Sequence, residues 1–253
     1  MSAPAAPRLP AWAELAWRQF RLERRMFWRN PSAAFFGVLL PLILLLVFGA
    51  VFSAHRRELD VVVPGIAGMS VMSATFISLA YALTTLRDRG ILKRLRGTPL
   101  PSSAYLAGLG ANAIANALLQ VAVIVVAGRL LFGVAWPREW GALAVFVALG
   151  VACFAALGVA LAHYIPNPES APAYVNAAFL PQILIAGVFY DDEEAPRVIR
   201  DLAEIMPLKH LVDGLSGAMV DGTGLRDHGV ALLVLAAWTA VGLVLAVRTF
   251  SWD

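Results

Sequence analysis

The sequence predicts an all-α integral membrane protein with six transmembrane helices. Of its 253 residues, 60% are hydrophobic and only 15% are charged, whereas soluble domains are about half apolar and about a quarter charged. The apolar residues are also gathered into blocks of the roughly 20 residues that a helix needs to cross a bilayer. Because no hydrophilic block is long enough to fold separately, we expect residues 11–253 to form one transmembrane domain.

The N-terminal stretch precedes the first apolar block. Residues 1–10 are rich in proline and alanine, which predicts disorder. Residues 11–30 predict a helix that lies in the membrane interface, because arginines recur at i+3 and i+4 while tryptophan and phenylalanine cover much of the remaining surface. The predicted basic stripe consists of Arg18, Arg21, Arg25 and Arg29.

Six apolar blocks follow and give the predicted spans. Pro41 is tolerated inside the first block because neighbouring helices can re-satisfy the backbone. Pro64-Gly65 is expected to open the second. The spans cover about residues 33–53, 63–86, 104–134, 141–164, 172–190 and 228–248.

The positive charges predict the orientation of these spans. With both termini in the cytoplasm, twelve of the 20 lysines and arginines fall on the cytoplasmic side, in agreement with the positive-inside rule. An odd number of spans would separate the arginine-rich N-terminal stretch from the basic segment after span two. We therefore expect a multi-pass protein of the cytoplasmic (inner) membrane.

The segment LRDRGILKRLRGTPLP, residues 86–101, predicts a short amphipathic helix on the cytoplasmic side. Asp88 is expected in its first turn, where the helix dipole favours a carboxylate, and Gly97 and Pro99 are expected to end it. Ile91, Leu92 and Leu95 share one arc, and basic residues fill the rest. Such a helix is suited to docking in another protein's groove. A loop that only fixes topology would explain the charges but not the apolar edge.

Two further regions carry polar residues in apolar surroundings. In span three, Asn112, Asn116 and Gln120 follow Gly108 at intervals of four, which gives one drifting stripe. The stripe allows two interpretations, namely hydrogen bonds between helices or a wall of a substrate path or subunit seam, and Ser73 in span two allows the same two. The loop of residues 191–227 predicts two short helices broken at Pro207, which dip into the membrane from outside.

These residues resemble the ABC-2 type permeases, the membrane subunits of drug and polymer exporters. The resemblance is carried by Pro64-Gly65, by LRDRGILKRLRGTPL, and by the Gly-Val-Phe exit of span five with the later PLKHLVDGL. It implies an elbow helix at residues 11–30 and a re-entrant exit region that contains Pro207, Leu208 and Asp213. The residues that it implies for coupling to an ATPase are Arg87, Asp88, Arg89, Gly90, Ile91, Leu92, Arg94 and Leu95.

The resemblance also implies the partners, which are a cytoplasmic ATPase and a second permease subunit, identical or closely related. The sequence contains no GxxxxGK(S/T) motif, so we expect no enzymatic activity and no cofactor on this chain, with ATP and Mg²⁺ bound by the ATPase. No metal-ligand spacing occurs among the histidines. The net charge of +3 is interpreted as contact with membrane lipids rather than with nucleic acid.

Two other classes of protein remain as alternatives. An ion-coupled secondary transporter would need an acidic residue or a histidine buried within a span, and the sequence places its acids in loops or near span ends. An intramembrane protease is suggested by Gly214-Leu215-Ser216-Gly217 with His228 downstream. It would need the Ser216 hydroxyl within hydrogen-bond reach of that histidine.

Overall fold

The computed structural model describes residues 11–52, 56–95, 100–189 and 196–249, and within these ranges every regular element is a helix. The all-helical prediction is therefore confirmed. In the part of the chain that the structure describes, four helices are long and apolar enough to cross a bilayer: Arg57–Asp88, Ser103–Phe132, Trp140–Tyr164 and Gly229–Arg248. The shorter apolar helices Gly37–Val51 and Ala171–Ile185 coincide with the predicted first and fifth spans. The count of six spans stays a prediction.

Apart from the second block, the long apolar helices begin and end within a few residues of the apolar blocks. Among the described residues, π-helical turns interrupt the α-helices at Phe35–Leu39, Ser73–Ile77 and Gly217–Asp221. The α-helices are α1 (Trp12–Arg29), α2 (Pro31–Ala34), α3 (Leu40–Val51), α4 (Arg56–Met72), α5 (Ser78–Asp88), α6 (Ile91–Leu95), α7 (Ser102–Phe132), α8 (Trp140–Tyr164), α9 (Ala171–Ile185), α10 (Arg197–Ala203), α11 (Pro207–Ser216) and α12 (Gly229–Thr249).

The second predicted span is part of a longer rod than expected. Helix α4 begins at Arg56 and runs through the π-helical segment Ser73–Ile77 into α5 without a break. Pro64 lies inside α4, so Pro64-Gly65 does not begin the helix, and its place at the start of the membrane span stays a prediction. The rod has 32 residues from Arg57 to Asp88. At 1.5 Å per residue it is about 48 Å long, which exceeds the roughly 30 Å of hydrocarbon and leaves its ends outside.

The rod, α7 and α8 alternate in direction, which places their connections at two ends of the bundle. At one end, Trp12 Nε1 donates to Ser103 Oγ at 3.0 Å, and the last turn of α8 lies beside the end of α5. We call this the basic end, because α6 lies there with its arginine and lysine. At the opposite end, the backbone N–H groups of Arg138 and Glu139 both donate to the Ala218 carbonyl, at 3.1 and 3.0 Å.

Helix α11 enters the bundle from this opposite end. Its apolar face, with Leu208, Leu211 and Leu215 fully buried, packs on α4 and α8. It approaches so closely that a Cβ at Gly150 would lie 2.7 Å from Leu211 Cδ2. Gly150 is ten residues into α8, about 15 Å along the axis. The predicted break between two short helices at Pro207 is confirmed, and the dip into the membrane stays a prediction.

Candidate functional site

The basic segment after the second span folds as the end of one helix and the start of another. Helix α5 ends at Asp88, and Gly90 adopts a left-handed φ of 62°, from which α6 begins at Ile91. Asp88 therefore lies in the last turn of α5, where the dipole does not favour a carboxylate, and the expectation of a first-turn position is wrong. The turn at Gly90 is the physical reason. The predicted stop at Gly97 and Pro99 lies outside the described residues.

This segment presents charge at the basic end of the bundle. The side chains of Asp88, Arg89, Lys93 and Arg94 are exposed, whereas Ile91 is half-buried. Arg94 Nη2 donates to the Arg89 carbonyl at 2.9 Å, which closes the turn around Gly90. The backbone of Leu92 and Leu95 lies in α6 beside these charges. The segment thus offers a compact charged surface on a fixed backbone.

Arg87, at the start of this segment, turns back into the protein. Its guanidinium donates to the carbonyl oxygens of Ala162 at 3.0 Å and His163 at 3.2 Å, and also to that of Ile165. These carbonyls belong to the end of α8, where the last carbonyls lack partners within the helix. The forked donors of arginine suit such a cluster. Arg87 therefore ties the end of α5 to the end of α8 and does not face outward with its neighbours.

The polar stripe of α7 is largely covered by α1. Helix α1 packs along the first half of α7, and a Cβ at Gly108 would lie 2.6 Å from Gln19 Cβ. Arg24 Nη1 donates to Asn116 Oδ1. Asn116 is consequently only 4% exposed. For Asn116 the contact supports the interpretation as a hydrogen bond between helices, and the predicted interfacial helix is anchored on α7.

The other stripe residues are placed differently. Gln120 is buried and Asn112 is half-buried, and the side-chain oxygens of both are buried without a hydrogen-bond partner among the described residues. Ser73 opens a π-helical segment and donates to the Ser70 carbonyl at 3.0 Å. Single π-helical turns are frequent at functional sites. Asn112 and Gln120 thus remain candidates to line a substrate path, whereas the hydroxyl of Ser73 has its hydrogen-bond partner within its own helix.

We expect Asn116→Leu to destabilise the protein by about 1–3 kcal/mol, because the Arg24 guanidinium would lose its acceptor in a partly buried place. Thermal unfolding in detergent measures the effect. Removing both partners as Arg24→Met/Asn116→Leu should recover part of the loss. Strictly additive losses in this double-mutant cycle would contradict the contact.

The interface between α1 and α7 contains a carboxylic acid, Glu23, whose pKa is shifted. Burial raises the pKa of Glu23 above its ordinary value of 4.5, while the hydrogen bond from Gln19 lowers it in part. Gln19 Nε2 donates to Glu23 Oε1 at 2.7 Å. A raised pKa in the folded state means that the stability contributed by this carboxyl is fully present below the unfolded pKa and is lost as pH rises through the folded pKa.

We therefore expect Glu23→Gln to be modestly more stable than the parent protein at pH 7, since the substitution keeps an acceptor for Gln19 but removes a poorly solvated charge. The difference should shrink as the pH falls toward 4. Unfolding midpoints of both proteins across this range test the sign. If the difference in unfolding midpoint between Glu23→Gln and the parent instead grows as the pH falls, the carboxylate is stabilised by its surroundings.

The predicted exit region places ionisable groups inside the bundle. Pro207 opens α11 and Leu208 is fully buried. Lys209 Nζ donates to Asp213 Oδ1 at 2.6 Å. Lys209 is 7% exposed and the neighbouring His210 4%. The sequence analysis predicted that these short helices dip into the membrane but assigned no buried ionisable group to them, although the i, i+4 spacing of Lys209 and Asp213 was a usable signal.

The surroundings of His228, the candidate base, do not support the interpretation of Gly214-Leu215-Ser216-Gly217 as a protease motif. His228 Nε2 lies 2.7 Å from Thr223 Oγ1, and its ring contacts Phe146 edge to face. The hydroxyl that engages this histidine is therefore that of Thr223. A Ser216 nucleophile would need that same ring nitrogen as its base.

Several helices able to cross a bilayer, bundled with a charged segment at one end, define a multi-pass helical membrane protein. A family profile described as ABC-2 type transporter matches residues 11–220, and the chain belongs to that family. The resemblance predicted from the sequence is thereby confirmed.

Two curated proteins show how far the similarity extends. The linearmycin resistance permease protein LnrN of Bacillus subtilis is 24% identical over 183 residues, which are 70% of this chain and 47% of LnrN. Nodulation protein J of Sinorhizobium fredii is 26% identical over 185 residues, which are 71% of this chain and 70% of that protein. The chain thus aligns with about half the length of the resistance permease.

Proposed function

We propose that the chain is the permease subunit of an ATP-driven exporter, with both termini in the cytoplasm and the basic end facing a separate ATPase. It would move an amphipathic drug-like, lipid or glycan substrate outward across the cytoplasmic membrane. Membership of the ABC-2 family and the similarity to a resistance permease support this class. ATP and Mg²⁺ would be bound by the partner, and this chain would carry out no catalysis.

The contact of Arg87 with the end of α8 is the observation that carries the coupling proposal. The exposed residues from Asp88 to Arg94 form the surface on which an ATPase would act, with the helical backbone of Leu92 and Leu95 behind it. Because Arg87 binds two carbonyls of α8 and that of Ile165 directly after it, a displacement of this surface would move α8 as well. Helix α8 packs on α5, α11 and α12, so the movement would reach the opposite end.

The central experiment is purification from native membrane under mild conditions. We expect an ATPase with a phosphate-binding loop to accompany the chain, and a charge-reversed segment, Arg89→Glu/Lys93→Glu/Arg94→Glu, to lose it. Arg197→Glu/Arg200→Glu on α10 is the matched control, because these arginines are also exposed but lie toward the opposite end. Retention of the ATPase by the charge-reversed protein would overturn the assignment of this surface.

A second permease subunit is proposed to cover α9. Most of the surface of this helix is exposed, including the apolar Leu180 and Leu184 and also the amide of Asn176. An amide on an apolar helix is expected to face protein rather than hydrocarbon. Because α1 covers Asn116, we place the contact between the two permease subunits on α9 instead of on the polar stripe of α7. A cysteine at Leu184 should form cross-links between two copies in membranes.

One observation favours the ion-coupled alternative. Buried Lys209 and His210, with the nearby Asp213, supply the ionisable groups that such a transporter needs. Reconstituted vesicles separate the two mechanisms. Uptake driven by a proton gradient without nucleotide would support ion coupling, whereas strict dependence on ATP and the ATPase would support the exporter.

A further inference from the structure

Helix α11 runs from the end opposite the basic end toward the middle of the bundle. A Cβ at Gly214 would overlap the ring of Phe146, in the second turn of α8, and a Cβ at Gly150 would touch the side chain of Leu211. Earlier residues of α11 therefore lie beside later residues of α8, and the two helices are antiparallel. The first residue of α11, Pro207, is consequently the one that lies deepest in the bundle.

The turn between α10 and α11 lies near the middle of two helices that are long enough to cross a bilayer. Gly150 is about 15 Å along α8, and Pro207 is about 6 Å further in than Leu211. Since α8 is about 37 Å long, Pro207 lies close to its middle. On the other side, Trp238 Nε1 donates to the Ile205 carbonyl at 2.9 Å, and Trp238 is the tenth of the 21 residues of α12.

Helix α10 carries a charged face that extends down to this turn. At 100° per residue, its four ionisable side chains fall within an arc of about 100°, and all four are exposed. We call this set the α10 charged face; it comprises Arg197, Arg200, Asp201 and Glu204. Ionisable side chains at membrane depth almost always face the interior of a bundle or a water-filled cavity, because contact with hydrocarbon is costly. The α10 charged face is therefore expected to border water.

Glu204 is the deepest member of the α10 charged face. It keeps a helical conformation at the end of α10, and its backbone carbonyl lies 2.8 Å from His210 Nε2, which fixes the turn. Among the described residues, none forms an ion pair with the Glu204 carboxylate. The nearby Lys209 donates to Asp213. Arg200 lies one turn away, but its charge is offset by that of the adjacent Asp201. The deepest position on this face thus has a net negative charge.

Exposed apolar side chains lie directly beside this carboxylate. Val198, Leu202 and Ile205 occupy the next arc of α10, and they are 70%, 44% and 62% exposed. A carboxylate at the edge of an apolar surface is complementary to a molecule that joins a positive charge to a hydrocarbon body. Neither an inorganic cation nor an uncharged lipid would use both parts of this surface.

We propose that Glu204 binds the positively charged group of amphipathic organic cations, whose hydrocarbon part lies on Val198, Leu202 and Ile205. The site is reached from the water that borders the α10 charged face. That such cations are the exported cargo rests on the proposed function, which it narrows to one class of substrate. The binding itself requires neither the ATPase nor nucleotide.

The first test is calorimetric binding to the purified chain in a neutral detergent, without ATPase. Tetraphenylphosphonium serves as the cation, and tetraphenylborate is an anion of nearly the same shape. The cation should bind about tenfold more tightly than the anion. Glu204→Gln should weaken binding of the cation about tenfold, because attraction between charges is strong where little water is present, and Glu204→Asp should keep part of the affinity. Glu169→Gln, which changes an exposed acid just beyond α8 at the basic end, should bind like the parent.

The second test measures whether water reaches this position in the membrane. A charged methanethiosulfonate reagent reacts with thiolates, which form only in contact with water. Glu204→Cys should react, and tetraphenylphosphonium should slow the reaction. Val241→Cys should not react; Val241 is 46% exposed on the apolar surface of α12, about 18 Å along that helix. The native Cys153 is fully buried and should not contribute.

Equal affinity for the two tetraphenyl ions would contradict the proposal, as would unchanged cation binding in Glu204→Gln or the same loss in Glu169→Gln. An unreactive Glu204→Cys would show that protein or lipid covers the face, and this result counts even if Glu204→Gln does not fold. Displacement of tetraphenylphosphonium by millimolar sodium would indicate a site for inorganic cations instead. Because neither test includes the ATPase, a failure here is distinct from a failure of the ATPase to accompany the chain.

Discussion

Gly65→Ala is expected to destabilise the protein by about 3 kcal/mol or more, or to prevent folding, because no space exists for the added methyl group. A Cβ at Gly65 would lie less than 3.0 Å from the Val188 carbonyl oxygen and 2.8 Å from its carbonyl carbon. These are backbone atoms, which cannot rotate away as a side-chain end can. The turn that follows α9 would therefore have to separate from α4.

A matched glycine on α7 provides the control for this prediction. A Cβ at Gly110 would meet nothing within 4 Å, so Gly110→Ala should be neutral or more stable by up to about 1 kcal/mol, since alanine favours the helix. Thermal unfolding of both variants in the same detergent makes the comparison. Equal unfolding midpoints would show that the approach of Val188 to α4 does not limit packing.

The sequence predicted the long helices well because their lengths are determined by local composition. An apolar block of the required length forms a helix whichever neighbours it meets, so α8 differs from its predicted bounds, 141–164, by one residue. The fifth span was predicted to reach residue 190 but its helix ends at Ile185. The left-handed Gly187, φ 68°, lies beyond that end, and a glycine inside an apolar block is a weak signal on its own.

The contacts that organise the candidate site depend on distant parts of the chain, and composition does not reveal them. The acceptors of Arg87 are backbone carbonyls at least 75 residues away. Every residue has a backbone carbonyl, so the sequence does not indicate which of them accept the hydrogen bonds. The close fit of Gln19 on Gly108 depends equally on the path of α1. The α7 stripe could be identified as polar and inward-facing, but its partner could not be identified.

Arg87→Ala is expected to disconnect the basic segment from α8. The variant would lose a guanidinium that binds three carbonyls. Because charge-assisted hydrogen bonds contribute about 1.5–3 kcal/mol each and these are partly exposed, we expect a loss of about 2 kcal/mol in stability. The larger effect should be on coupling. The ATPase should still bind and hydrolyse ATP while transport per ATP falls at least tenfold.

Hydrogen exchange in the complex with its ATPase measures this without knowledge of the substrate. In the parent, addition of ATP and Mg²⁺ should alter amide exchange both in residues 89–95 and at the end of α8. In Arg87→Ala the change should remain in residues 89–95 and disappear from residues 160–165. Arg89→Ala, which removes an exposed neighbour, should transmit the change normally.

Arg87→Lys separates charge from geometry at this contact. A lysine keeps the positive charge at the end of α8, where the helix dipole favours it, but its single ammonium cannot serve three carbonyls as a planar fork does. We expect Arg87→Lys to be about as stable as the parent. The change in amide exchange at the end of α8 on addition of ATP should be smaller than in the parent but larger than in Arg87→Ala. If ATP changes amide exchange at the end of α8 in Arg87→Ala as much as in Arg89→Ala, coupling does not pass through this contact. The exposed residues from Asp88 to Arg94 must then act on the bundle by another path.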